Sequence, residues 1–259
     1  MPYIHRDGAR IYYEDSGGDG PPFLLGHGFG ASTAMWRGQV EEFNSRHRII
    51  TWDFRGHGAT ECRGELSFYT QDHTADDMAA VLDHCGIGRA VIGGHSLGGY
   101  MSLAFNLRHP GRATALYLQG SGPGYRSDAA RAKWNLRAEA RAQSLDDGGL
   151  DALGGVSEVH VSSQRTAVEL ALAARGILSQ VDARVIDSLP GIEVPVLIVV
   201  GAGDTNYLDG SDYMASRIPN AVNVRVADAG HGANVDQPEV VNKALADFLG
   251  GLGGGGGDE

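Results

Sequence analysis

Short apolar runs without internal alternation recur along the chain, and segments with apolar residues three and four apart lie between them. The runs occupy residues 22–28, 48–53, 90–94, 113–118, 196–200 and 222–226. A strand that is apolar at every position is one buried on both faces. Helical spacing appears at Met35, Trp36, Val40 and Phe43, with Ser32 as the expected N-cap. It returns at 71–85, closed by Gly86, at 97–108, closed by Pro110, around 212–217, and at 239–249. Only the beginning differs: 3–6 and 10–14 flank Asp7-Gly8, a hairpin signal. The alternation predicts an α/β fold, a mostly parallel sheet flanked by helices on both sides, with antiparallel strands at one edge.

One stretch breaks the alternation. Residues 123–190 hold polar helix-forming sequence at 129–143 and 166–178, divided by Gly148-Gly149 and Gly154-Gly155. This is expected to be a helical cap over a core made of 1–122 and 191–249. Glycine fills most of 250–259, which reads as a flexible tail.

Composition narrows the function. The 259 residues carry a formal net charge of −11, which disfavours nucleic acid and anionic membrane as partners. Two cysteines, Cys62 and Cys85, argue against a disulfide framework. The first residues lack a secretory pattern, and the longest apolar run, 194–200, is too short to span a membrane and contains Pro195. A cytoplasmic protein acting on a small molecule is expected. No His/Cys/Asp cluster in the sequence calls for a metal or cofactor.

Chemistry concentrates at Gly94-His95-Ser96-Leu97-Gly98-Gly99, between an apolar strand and a helix. A turn that sharp strains its central residue and needs small neighbours. Ser96 then stands at a helix N-terminus, where backbone N–H groups favour developing negative charge: a nucleophile elbow. A serine hydroxyl needs a base, and the base a carboxylate. Asp204 follows the strand at 196–200, and His231 follows the strand at 222–226 between two glycines. Carboxyl ends of parallel strands share one rim, so Ser96, Asp204 and His231 are expected to converge. Asp209 and Asp212 compete for the acid's role but fall in the next helix. Two backbone donors are expected to form an oxyanion hole, the amides of Leu97 and of Phe29, with Gly28 permitting the bend.

These pieces, together with His27-Gly28-Phe29-Gly30, Asp53-Phe54-Arg55-Gly56-His57-Gly58, Gly201-Ala202-Gly203-Asp204 and Gly230-His231, resemble the α/β-hydrolase superfamily over nearly the whole chain. The resemblance implies an eight-stranded sheet with an antiparallel second strand, a cap inserted after the sixth, and a structural rather than catalytic role for 53–58. Haloalkane dehalogenases and epoxide hydrolases of that superfamily carry aspartate where this chain has Ser96. The menaquinone-pathway lyase carries an arginine where it has Tyr100. The ending 229–238 resembles enol-lactonases and small carboxylesterases.

The implied activity is cleavage of a carboxylic ester or lactone through an acyl-enzyme. The same triad serves C–C bond hydrolysis beside a ketone and peroxyacid formation, and some members of the fold bind ligands without catalysis. Substrate contacts are expected from Gly28, Trp36 and Trp134. Arg126, Arg131, Lys133, Arg137 and Arg141 form a local basic run, either a solvated helix face or a partner for a substrate carboxylate.

Overall fold

The computed structural model describes residues 2–155, 157–164 and 166–253. Eight strands form the main sheet: β1 (Tyr3–Arg6), β2 (Ala9–Asp15), β3 (Pro22–Gly26), β4 (Arg48–Trp52), β5 (Ala90–His95), β6 (Ala113–Gln119), β7 (Val196–Gly201) and β8 (Ala221–Val226). Their spatial order is 1-2-4-3-5-6-7-8, and the two-residue strand Glu61–Cys62 pairs with β2 off this path. Only β2 runs against its neighbours; every other pair is parallel. At the hairpin, Asp7 (φ 39°) and Gly8 (φ 74°) take the left-handed conformations that the turn demands.

The uniformly apolar strands serve two cores by alternation. Leu24, Ile50, Ile92, Leu116 and Ile198 pack on one face with Met78 and Leu82 of α2 (Gln71–His84) and Met101 of α3 (Leu97–Arg108). Phe23, Leu25, Ile49, Val91, Tyr117 and Val199 pack on the other, with Trp36 and Phe43 near α1 (Arg37–Phe43) and Val241 and Leu245 of the last helix, Pro238–Gly253. Successive side chains point to opposite faces, so a strand covered on both sides shows no polar alternation.

Between β6 and β7 lie α4 (Asp128–Gly148), α5 (Ser157–His160), α6 (Ala167–Ala173) and α7 (Arg184–Ser188). This helical insertion has a small core of its own: Ala142, Leu145, Leu170, Ala171 and Ala174. After β7 come α8 (Leu208–Arg217), β8, α9 (Ala233–Asp236) and α10 (Pro238–Gly253).

Two local expectations differ from the structure. Ser32 precedes a 3₁₀ turn, Thr33–Trp36, and its side chain makes no capping bond. Its backbone N–H instead donates to Ser162 Oγ at 3.0 Å, tying this turn to the insertion. The last helix continues through Gly250 and Gly251, because Leu252 finds the second core to pack against. The rest of the expected tail, 254–259, lies outside the described residues. Among the described residues no helix is long and apolar enough to cross a membrane.

Candidate active site

Ser96 stands between β5 and α3 with φ 53° and ψ −111°, a conformation that L-residues rarely hold. Its surroundings leave it little choice. The Ser96 N–H donates to Gln119 O at 2.8 Å, and its carbonyl accepts from Ser121 Oγ at 2.8 Å and Tyr100 N at 3.1 Å. Glycine is required beside it: a Cβ at Gly94 would lie 2.5 Å from the Gly98 carbonyl carbon. Here strand and helix approach backbone to backbone.

The three separated residues meet. His231 Nε2 lies 2.9 Å from Ser96 Oγ, and His231 Nδ1 lies 2.7 Å from Asp204 Oδ2. The Asp204 carboxylate is buried, while the His231 side chain stays one-quarter exposed. Asp204 thus orients the imidazole, fixing Nδ1 as donor and leaving Nε2 to face the hydroxyl. The competing Asp212 pairs with Arg225 on the neighbouring strand.

Neighbouring side chains hold this arrangement. His95 donates from Nε2 to the His231 carbonyl at 3.0 Å, and burial keeps it neutral, well below the usual imidazole range. Asn234, three residues after His231, belongs to a buried polar chain. It donates to Met35 O and Gln39 Oε1, both at 3.0 Å, and accepts from Gln119 Nε2 at 2.6 Å. The loop carrying His231 is therefore pinned to β6 and to α1.

The loop after β3 is shaped by His27. Its Nε2 accepts from the Phe54 N–H at 3.1 Å, so Nδ1 is the donor to Gly28 O at 2.7 Å. Burial drives this histidine too far below its usual range to carry charge. Among the described residues, no hydrogen bond engages the Phe29 or Leu97 amide. Gly28 serves the elbow from beneath: a Cβ there would lie 2.5 Å from His95 Nδ1 and 3.4 Å from Ser96 Cβ.

The turn at 53–58 holds the same loop from the other side. Asp53 accepts from Thr33 N and Ala59 N, both at 2.8 Å, and burial pushes its carboxyl up to about 6. Arg55 is fully buried in a bidentate pair with Asp77, 2.6 and 2.9 Å. This segment therefore supports the loop that carries Phe29.

Not every expected contact falls at the site. Trp36 is buried in the second core against Tyr117, with centroids 6.2 Å apart. A large ring at that spacing filled the space under the sheet rather than a pocket above it. Trp134 donates to Leu178 O at 2.8 Å and lines a groove of about 250 Å³ with Tyr125, Ala130, Lys133 and Arg137. That groove includes none of Ser96, Asp204 and His231. In the basic run, Arg126 pairs with Asp187 and Arg131 with Asp128. Arg141 stands 5.5 Å over the Phe29 ring.

The structure adds residues that the sequence did not flag. Glu158 of α5 is buried, with ligand atoms of His95, Glu158 and His231 all within 4.8 Å of one another. Both His231 nitrogens already face Ser96 and Asp204, so a cation there would compete with those hydrogen bonds. Gln164 donates to Gly30 O and Ala31 O and accepts from Gly58 N, each at 2.8 Å. Tyr207 stacks on His231. All three depend on contacts between segments far apart in the chain, or on a loop conformation, that no local motif encodes.

Residues 21–150 match the family model described as the alpha/beta hydrolase fold. The 3-oxoadipate enol-lactonase 2 of Acinetobacter baylyi is 27% identical, over 95% of this chain and 97% of that protein. A thermophilic esterase from Thermogutta terrifontis, solved with malate bound, is 26% identical with a TM-score of 0.79, each chain covered to 94%. The enol-lactonase from Burkholderia xenovorans LB400 is 25% identical with a TM-score of 0.78, covering 96% of this chain and all of that one. With the strand order, the elbow and these likenesses in agreement, the chain belongs to the alpha/beta hydrolase family and is an enzyme of its esterase and lactonase type.

Proposed function

We propose that the protein cleaves carboxylic esters or lactones by a Ser96–His231–Asp204 triad through an acyl-enzyme. The observation that carries this is the unbroken hydrogen-bonded series from Asp204 through His231 to a strained, elbow-borne Ser96. His231 takes the Ser96 proton as the oxygen attacks the carbonyl carbon, and Asp204 stabilises the imidazolium that results. The Phe29 and Leu97 amides receive the negative oxygen of the tetrahedral intermediate. His231 returns the proton to the leaving oxygen. Water, activated by the same imidazole, then releases the acid.

Residues 123–190 act as the cap over this centre. Leu153 and Val159 close on Gly30, and Glu158 closes on Gly232, where a Cβ would stand 2.7 Å from its Oε2. These contacts bring the insertion against the loops that carry Phe29 and His231, where a cap limits water around the acyl-enzyme and shapes the acyl-chain site.

A panel of p-nitrophenyl esters, enol lactones, macrolactones and vinylogous diketones tests the assignment against wild type and Ser96→Ala. Wild type is expected to turn over the esters or lactones, with a loss of several orders of magnitude in the variant. Rapid labelling of Ser96 by a fluorophosphonate is the companion result. Turnover confined to diketones would reassign the chemistry to C–C hydrolysis. Absence of both turnover and labelling would mark a ligand-binding member of the fold.

A further inference from the structure

Tyr207 has no part in the scheme above. Its ring lies on the His231 imidazole, with centroids 4.8 Å apart and planes within 20°. Through that stacking the phenol lies on the side of the imidazole that serves Ser96, whose Oγ is 2.9 Å from His231 Nε2. The backbone holds it there: Tyr207 N–H donates to Asp204 O at 3.0 Å, and Tyr207 O accepts from Ser211 N at 2.9 Å. The carboxylate that orients the base and the phenol that covers it therefore share one turn. Burial pushes the phenol up, so at neutral pH it keeps its proton and presents an O–H donor.

Position then decides the role. Because the ring is stacked on His231, the hydroxyl approaches Ser96 from the imidazole's side. During acyl transfer the leaving atom takes its proton from His231 Nε2, which sits 2.9 Å from Ser96 Oγ, so it departs on that same side. We infer that Tyr207 is a catalytic residue of this site, its O–H donating a hydrogen bond to the leaving-group oxygen while its ring covers the imidazole. This rests on the serine-hydrolase reading. The proton balance is simple: the C–O bond breaks, His231 delivers the proton to the departing oxygen, and the phenol keeps its own. The ring's electron-rich face adds stabilisation to the imidazolium. The arrangement selects substrates whose leaving atom accepts hydrogen bonds well, the alkoxide of an alkyl ester or a lactone, over a sulfur leaving group.

The test compares an ethyl ester with the matching ethyl thioester, in wild type and Tyr207→Phe. The conservative variant keeps the ring and its stacking. The ester-to-thioester ratio of kcat/KM is expected to fall roughly tenfold, the size of one hydrogen bond made in the transition state. A series of esters graded in leaving-group acidity should show a steeper dependence in the variant. An unchanged ratio, whether or not the absolute rates drop, overturns the assignment. Failure of the serine-hydrolase reading is distinguishable, because it would appear as turnover surviving Ser96→Ala whatever stands at 207.

Discussion

His95 Nε2 donates to the backbone carbonyl of His231 at 3.0 Å, joining the residue before Ser96 to the residue whose imidazole faces the Ser96 hydroxyl. The ring centroids are 4.5 Å apart, edge to face, so the two imidazoles also set one another's orientation. Elbow and base loop come from β5 and from beyond β8, and this bond fixes their separation.

Removing it should loosen catalysis rather than binding. His95→Phe keeps a ring of similar width but leaves the His231 carbonyl without its donor. We expect kcat to fall roughly tenfold with KM within about twofold, since the base then samples geometries out of reach of Ser96. Steady-state kinetics on one ester, with fluorophosphonate labelling of Ser96 as a second readout, checks this. A loss confined to KM would place His95 in substrate binding instead.

Gln164 gives a second, opposite signature. Its carboxamide bridges Gly30 O, Ala31 O and Gly58 N, clamping the insertion to the loop that carries Phe29. Gln164→Ala should lower kcat/KM roughly tenfold by freeing both partners. Gln164→Glu should do worse, because its carboxylate would face two carbonyl oxygens with no N–H to offer. If the glutamate variant outperforms the alanine variant, the carbonyl contacts are not what the side chain is for.

The convergence of Ser96, Asp204 and His231 was legible because each sits at a strand end beside glycines, a local signature of backbone geometry. The sheet was legible for a related reason: buried parallel strands are apolar throughout. Trp36 misled because ring size says nothing about which side of a sheet it fills. Ser32 misled because the segment it opens is a short 3₁₀ turn, Thr33–Trp36, in which its side chain makes no capping bond. Gln164 and Glu158 act by reaching across the structure, and their own surroundings in the chain are ordinary polar sequence. Tyr207 lies near Asp204 in sequence, yet only the turn's conformation aims its ring at His231.

Stability should fall on acidification below pH 6.5. Burial holds His57 down at about 4 and keeps His27 and His95 well below their usual range. Each is neutral when folded and takes up a proton more readily when unfolded. Their contribution is therefore complete above about 6.5 and lost as pH falls, at up to about 1.4 kcal/mol per pH unit for each group. Asp53 acts oppositely. Its folded value of about 6 exceeds its ordinary 3.8, so between those values folding takes up a proton and gains stability on acidification. Three histidines against one carboxyl leave a net loss. Tm measured from pH 7 to 4.5 should decline, and His57→Gln should make the decline shallower. A variant with the wild-type slope would show that His57 titrates normally in the folded chain.

Asp77 should be essential to the fold without touching the chemistry. Its carboxylate takes Arg55 Nε at 2.6 Å and Nη2 at 2.9 Å, and Arg6 Nη1 at 2.8 Å, with the Arg55 and Asp77 side chains fully buried. Arg55 Nη1 also donates to Asp7 O at 3.1 Å and Phe68 O at 3.0 Å, so one guanidinium joins the hairpin, the turn after β4 and the segment before α2. Asp77→Asn leaves the buried guanidinium with no carboxylate, a change that costs about 3–5 kcal/mol where a charge cannot reach water. Replacing both partners, Arg55→Met with Asp77→Leu, removes that stranded charge and should recover part of the loss. The double variant should also keep a kcat near wild type per active site titrated by fluorophosphonate, since neither side chain meets Ser96, His231 or Asp204. Denaturant unfolding and active-site titration together check both halves. A double variant that regains stability but not turnover would give this ion pair a part in the reaction.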